Sequence, residues 1–406
     1  MKNKKLIYKN FIQKNHLNSN SCKNLKNKYY VNLSEVTKNI DLKKDAFHSL
    51  SKKFILNFKN KDLQRFSKYK TVVIIGMGGS ILGSEAIYEF LKKKIKKKFY
   101  FFNNLDENKL INFKKKHILN KTLFIIISKS GETLETLSNF FSFKIIKKNS
   151  KNLIIITEKN NKTLHLLSKR MNLYFVEHRK YIGGRYSILS EVGMLPAYLM
   201  GLQMKNLRKN ILIHFTNNKS KIFLRNSTIK LADIILRKKI KNLILFNYVP
   251  QLNKFLYWYQ QIIGESLGKD GKGFLPTISL APKDHHSLLQ LYLDGPKDKL
   301  FYIFSDDQIT NNKINSKRLD NKFSYLNKKN LSQIKKAQKK AFIQSLKKKK
   351  IPFREFKINN FNEQNLGELF SYFIIETALI GKLINVNPFD QPAVEKVKIN
   401  TKKELV

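Results

Sequence analysis

The chain has 406 residues, 42% hydrophobic and 27% charged, with a single cysteine. At roughly 150 residues per domain this means two or three domains with ordinary cores, and it excludes a disordered, collagen-like or disulfide-stapled chain. The charge is unusual: 79 Lys and Arg against 29 Asp and Glu leave +50, a balance that invites nucleic acid or an anionic membrane.

The basic residues are spread in short runs such as 92–98 and 347–350, with no confined arm, so they read as solvated faces. Aromatic platforms interleaved with base-edge readers are not evident, and we expect no specific nucleic acid and no membrane partner. Cys22 as the only cysteine fits a reducing compartment. The basic start, MKNKKLIYKNFIQKN, lacks the apolar stretch of a signal peptide. No apolar run approaches the roughly 18 residues needed to span a bilayer. The expected location is the cytoplasm.

In chain order, residues 1–45 are polar and weakly patterned and read as a loosely packed leader. Short Ile/Val/Phe-rich runs then alternate with amphipathic stretches. TVVIIGMG (71–78), KFYFFN (98–103), TLFIIIS (122–128), NLIIIT (152–157) and LYFV (173–176) have the length and composition of buried strands. Between them, SEAIYEFLKKKIKKK and GETLETLSNFFSFKIIKK carry apolar residues at helical spacing with Lys opposite.

After a helix near 187–205 the pattern restarts. NLILFNYV (242–249), KLFYIFS (299–305) and PFREFKI (352–358) read as strands of a second sheet. FIQSLKKKKI and residues 365–384 read as its helices, and a short helix is predicted after Pro392. Strand–helix alternation predicts parallel sheets flanked by helices. The expected architecture is α/β: two doubly wound lobes at 46–205 and 206–385, and a tail at 386–406.

TVVIIGMGGSILGSEAI runs strand, glycine turn, helix, a place where free N–H groups bind anions. It is neither a dinucleotide fingerprint, since Ile81 stands at the third glycine, nor a P-loop, since Ser84 follows Gly83. Gly79 and Ser80 are its candidate ligand contacts. In LFIIISKSGETLET, Ser128, Lys129, Ser130 and Thr133 sit between a strand and a helix start. One hydroxyl suffices for a cap; three hydroxyls and an ammonium in six positions make a phosphate cradle. Glu132 is discordant there and is expected to point outward.

The S-x-S-G-E-T sequence after a strand resembles the sugar-isomerase (SIS) domain, which binds phosphosugars. IGMGGSILGSEA, GGRYSILSEVG (183–193), GESLGKDGKG (264–273) and NPFDQPAVEKVK (387–398) resemble, in order, the motifs of the glucose-6-phosphate isomerase family. That resemblance implies aldose–ketose isomerisation of glucose 6-phosphate and fructose 6-phosphate through an enediol, with no cofactor and no metal. The chain is shorter than most members.

Glu265 falls on the family's catalytic base, and burial can tune a carboxylate to take a proton and return it. Gln261, one helical turn earlier, falls on a substrate-binding glutamine. Arg185 falls on the arginine that stabilises the enediolate. KDHHSLLQ resembles the ring-opening histidine segment and selects His286 over His285. In the family that histidine comes from the partner subunit, which implies a homodimer. Gln391 and Lys398, seven residues apart, match a family pair whose lysine is used in ring opening and near the sugar oxygens, and two helical turns would let both face one site. The GGR and ES-x-GK segments argue against a related isomerase of mannose- or glucosamine-phosphates. A SIS-type regulator would need a helix-turn-helix segment that residues 1–45 do not offer.

Overall fold

A computed structural model describes residues 6–316 and 321–405. Residues 1–5 of the expected leader and Val406 of the expected tail lie outside the described residues. The first sheet holds β2 (Thr71–Gly76), β3 (Lys98–Phe102), β4 (Thr122–Ile127), β5 (Leu153–Thr157) and β6 (Tyr174–Glu177) in the order β3-β2-β4-β5-β6. All of its pairings are parallel. β4 lies at the centre and every residue of it is buried, which is why TLFIII reads as one continuous apolar run and not an alternation.

The second sheet runs β1-β10-β9-β7-β8, from β1 (Ile7–Asn10), β7 (Asn242–Asn247), β8 (Leu275–Leu280), β9 (Lys299–Ser305) and β10 (Phe353–Lys357). Its pairings are parallel except for the first. β1 pairs antiparallel with β10, Ile7 opposite Lys357, so part of the leader is a sheet edge. The following helix, Ser19–Asn39, buries Leu25, Tyr29 and Val36. These residues are not loosely packed: a single apolar stripe, diluted among Asn and Lys, is enough to dock the helix.

The helices predicted at 84–98 and 131–148 are shorter, Leu82–Leu91 and Leu134–Ser142; the second stops just before Lys144, which takes a left-handed φ of 54°. The segment predicted at 187–205 begins as a tight turn, Gly184–Leu189, and becomes the helix Glu191–Leu199. β8 was not expected. Pro276 sits in it, which an edge strand tolerates, and its burial is only partial.

The helix Asn253–Leu267 carries most of the site. Phe255, Leu256, Trp258, Tyr259, Ile262, Ile263 and Leu267 are buried, a stripe at helical spacing in which each large side chain contributes about 1.5–3 kcal/mol. The helix ends at Gly268, whose N–H donates to the Gly264 carbonyl at 3.0 Å. Its other face carries Gln261 and Glu265, which are only partly buried. Lys254 on this helix reaches Glu85 of the first lobe at 3.3 Å, and the buried face packs against the long helix Glu363–Leu383 through ring contacts such as Trp258–Phe370.

Candidate active site

Parallel strands put all the loops that follow their ends on one edge of a sheet. Gly76 of β2 lies beside Ile127 of β4, so the glycine turn 78–80 and the loop 128–133 emerge side by side. Gly78 has a φ of +50°, and a Cβ there would stand 2.6 Å from Gln261 Nε2. A Cβ on Gly79 would stand 2.3 Å from the Gly184 carbonyl carbon and 2.4 Å from the Arg185 nitrogen. The glycines therefore let the first-lobe turn touch both Gln261 on the Asn253–Leu267 helix and the GGR segment. Gly79→Ala is expected to push these backbones apart, costing about 1–3 kcal/mol in a denaturant titration and displacing Arg185.

In the 128–133 loop the hydroxyls converge. Ser128 Oγ lies 2.9 Å from Thr133 Oγ1, and Ser130 Oγ lies 3.4 Å from the same atom. The Gly131 and Glu132 N–H groups donate to Ser128 and Ser130, each at 3.2 Å. Glu132 pairs with Lys162 at 3.2 Å. Lys129 lies 3.7 Å from Glu158. Burial, joined by the charges of Arg185 and Lys180 against that of Glu158, holds its ammonium below the ordinary lysine range. Behind the loop, His178 is pushed down to about 4 by burial and by Lys129.

Arg185 is buried and joins three segments of chain. Its Nε donates to Ser266 Oγ at 2.9 Å. Nη1 donates to Glu265 Oε2 at 3.2 Å and to Gln391 Oε1 at 2.8 Å. Nη2 donates to the carbonyls of Pro388 at 2.7 Å and Asp390 at 2.9 Å. Glu265 Oε1 accepts from Gln261 Nε2 at 2.9 Å. Glu265 is less buried than expected, with its side chain 36% exposed, because it lies on the open face of its helix. A cavity of about 680 Å³ beside it is lined by Gly264, Glu265, Gly268, Asn387 and Gln391.

Two expected residues do not join this cluster. His286 lies exposed in the short helix Asp284–Ser287. His285 is turned inward and shares a hydrogen bond of 2.7 Å with Tyr248, while burial, then His286, lowers its pKa. The outward histidine is thus the one selected from the sequence. Lys398 is 61% exposed and paired with Glu395 at 2.7 Å. The two-turn argument fails for it because Gln391 precedes the helix Ala393–Lys403 instead of lying on it.

Residues that the sequence reading passed over complete the cluster. Ser266 also contacts the Tyr186 hydroxyl at 2.6 Å. Lys269 clamps the 387–390 turn through the Asn387 and Asp390 carbonyls and the Asp390 carboxylate. Both stand inside the GESLGKDGKG segment, one and four residues after Glu265.

Among the described residues, no group of three or more His, Cys, Asp or Glu side chains is placed to hold a metal ion, and no helix is long and apolar enough to cross a membrane.

Two α/β lobes on mainly parallel sheets, with Glu265 on the second lobe's main helix paired to Arg185 of the Gly184–Leu189 turn, have the architecture of a SIS-type fold. The fold matches a glucose-6-phosphate isomerase from Chlamydia trachomatis with a TM-score of 0.77, at 17% identity over 98% of this chain and 88% of that one. A hypothetical protein from Thermus thermophilus gives 0.78, at 24% identity over 99% and 100% of the two chains. In sequence, the chain is 33% identical over 343 residues to the glucose-6-phosphate isomerase of Methanocaldococcus jannaschii, covering 81% of this chain and 83% of that one. The phosphoglucose isomerase family model matches residues 16–404. The chain belongs to the phosphoglucose isomerase family.

Proposed function

We propose that the chain interconverts glucose 6-phosphate and fructose 6-phosphate, in the cytoplasm, as a homodimer and without a cofactor. The observation that carries this reading is the Arg185–Glu265 pair at 3.2 Å, flanked by Gln261 and Gln391. A base that must serve two adjacent carbons needs a carboxylate with a fixed cation at its side. In the open-chain sugar, Glu265 takes the C2 proton as charge develops on the C1 oxygen, and Arg185 stabilises that enediolate. Glu265 then gives the proton to C1, and the hydroxyl proton moves from the C2 oxygen to the C1 oxygen, so the ketose forms with no atom gained or lost.

The phosphate is assigned to Ser128, Lys129, Ser130 and Thr133 with the N–H groups of their loop, and Gly79 and Ser80 bound the sugar from the neighbouring turn. Gln261 and Gln391 hold Glu265 and Arg185 in register and face the sugar hydroxyls. Ring opening is assigned to His286, supplied by a second copy of the chain, with Lys398 acting at the sugar oxygens. The terminal helix that carries Lys398 has no buried residue, so it can move about the anchored Gln391.

A coupled assay that feeds fructose 6-phosphate and detects glucose 6-phosphate, with EDTA present, tests the reaction; steady turnover is expected. Its absence, with phosphosugar binding retained, would favour a sensor. Subunit complementation tests the cross-subunit histidine. Glu265→Gln and His286→Ala are each expected to be inactive alone. Refolded together, they should recover a measurable fraction of activity, because a mixed dimer holds one site with both residues intact. No recovery would place both residues in one subunit's site.

A further inference from the structure

Glu265 and Ser266 are consecutive on the Asn253–Leu267 helix, and neighbouring side chains on a helix point about 100° apart. Glu265 borders the cavity, whereas Ser266 turns inward and is fully buried. There its hydroxyl meets Arg185 Nε at 2.9 Å and the Tyr186 hydroxyl at 2.6 Å. Arg185 and Tyr186 are themselves only 4% and 2% exposed. One helical turn thus carries a carboxylate on its open side and an acceptor for the arginine on its closed side.

Chemistry fixes the order of these hydrogen bonds, since an arginine only donates and a carbonyl only accepts. Tyr186 gives its one proton to the Pro388 carbonyl at 3.0 Å, so its oxygen accepts from Ser266 Oγ. Ser266 Oγ in turn accepts from Arg185 Nε. Nη2 of Arg185 donates to the same Pro388 carbonyl at 2.7 Å and closes the circuit. Burial holds the Tyr186 phenol above its ordinary range, so its proton stays in place at neutral pH.

A guanidinium is planar. With Nε tied to Ser266 and Nη2 to the Pro388 and Asp390 carbonyls, the direction of Nη1 is set. Both acceptors of Nη1, Glu265 and Gln391, line the cavity. The bond to Glu265, at 3.2 Å, is the longest of the five that Arg185 makes. Nη1 is therefore the donor that a sugar oxygen can take over. We propose that Ser266 is a positioning residue for the isomerisation: its hydroxyl, ordered by Tyr186, sets the guanidinium plane and aims Nη1 at the reacting oxygen. This rests on the isomerase reading above.

The test is a double-mutant cycle read in kcat and KM for fructose 6-phosphate. Ser266→Ala is expected to lower kcat roughly tenfold or more, with KM nearly unchanged. In an Arg185→Lys background, where a methylene stands in place of Nε, the same substitution should lower kcat less than about threefold further. A hydroxyl that merely steadied the fold would cost the same in both backgrounds. Tyr186→Phe keeps the buried ring and provides a second arm should Ser266→Ala fail to fold. It should lower kcat several-fold and likewise lose its effect beside Arg185→Lys. Equal losses in the two backgrounds overturn the proposal, as does a Ser266→Ala chain with unchanged kcat or with a raised KM alone. If the unaltered chain does not turn over fructose 6-phosphate, the isomerase reading fails and the proposal falls with it.

Discussion

Replacing Glu265 with Gln is expected to lower kcat by roughly 10²–10⁴-fold, with KM for fructose 6-phosphate changed far less. The amide keeps the shape of the carboxylate, but Gln261 and Arg185 now donate to separate oxygens at 2.9 and 3.2 Å, so its single oxygen keeps one of these two bonds at a half-exposed position. It cannot take a proton from carbon. A second measurement separates loss of chemistry from loss of structure. Exchange of the C2 proton of glucose 6-phosphate with deuterated solvent, followed by NMR, should stop in Glu265→Gln, while its melting temperature stays near that of the unaltered chain. If exchange persists while net isomerisation stops, the base lies elsewhere and Glu265 only orients the sugar. If both persist, the assignment of Glu265 fails.

Much of this was legible in the sequence because the first lobe is built from fully buried parallel strands. TVVIIG, TLFIII and LIIIT are apolar at every position but their ends, and no compositional drift toward Lys and Asn can enter such a strand without burying a charge. The elements that were missed are those at which one side meets water. β1 has alternating half-exposed residues, β8 is an edge with a proline, and the Ser19–Asn39 helix shows one thin stripe. At these places lysine and asparagine occupy the wet face and flatten the periodicity.

The site was legible to the same degree and for a related reason. Gln261 and Glu265 share a helix face and Ser128 to Thr133 share one turn, so local spacing predicts their meeting. Arg185 with Gln391 does not follow from spacing, because 206 residues separate them; only the family motifs brought them together. Lys398 shows the converse, since a spacing argument that presumed a continuous helix failed where Pro392 begins a new one. The same tertiary closure explains Lys269, whose role as clamp of the 387–390 turn becomes visible only once that turn has folded back onto the Asn253–Leu267 helix.

Arg185→Lys is expected to lower kcat by roughly 10²–10³-fold although the charge is kept. The guanidinium serves five acceptors from three nitrogens spread over a plane: Ser266 Oγ, Glu265, Gln391 and the carbonyls of Pro388 and Asp390. An ammonium offers three donors from one point. It leaves at least two of these acceptors unserved, at about 1–3 kcal/mol for each that stays buried, so denaturant stability should fall as well. The comparison that decides the role is Lys269→Met. Lys269 holds the same 387–390 turn through hydrogen bonds to Asp390 and makes none to Glu265, so removing its ammonium loosens the turn and leaves the arginine–carboxylate pair in place. If Arg185 stabilises the enediolate, Lys269→Met loses stability with only a small change in kcat, and Arg185→Lys loses both. Equal falls in kcat would make Arg185 a positioning residue acting through the turn, and the enediolate charge would then need another partner.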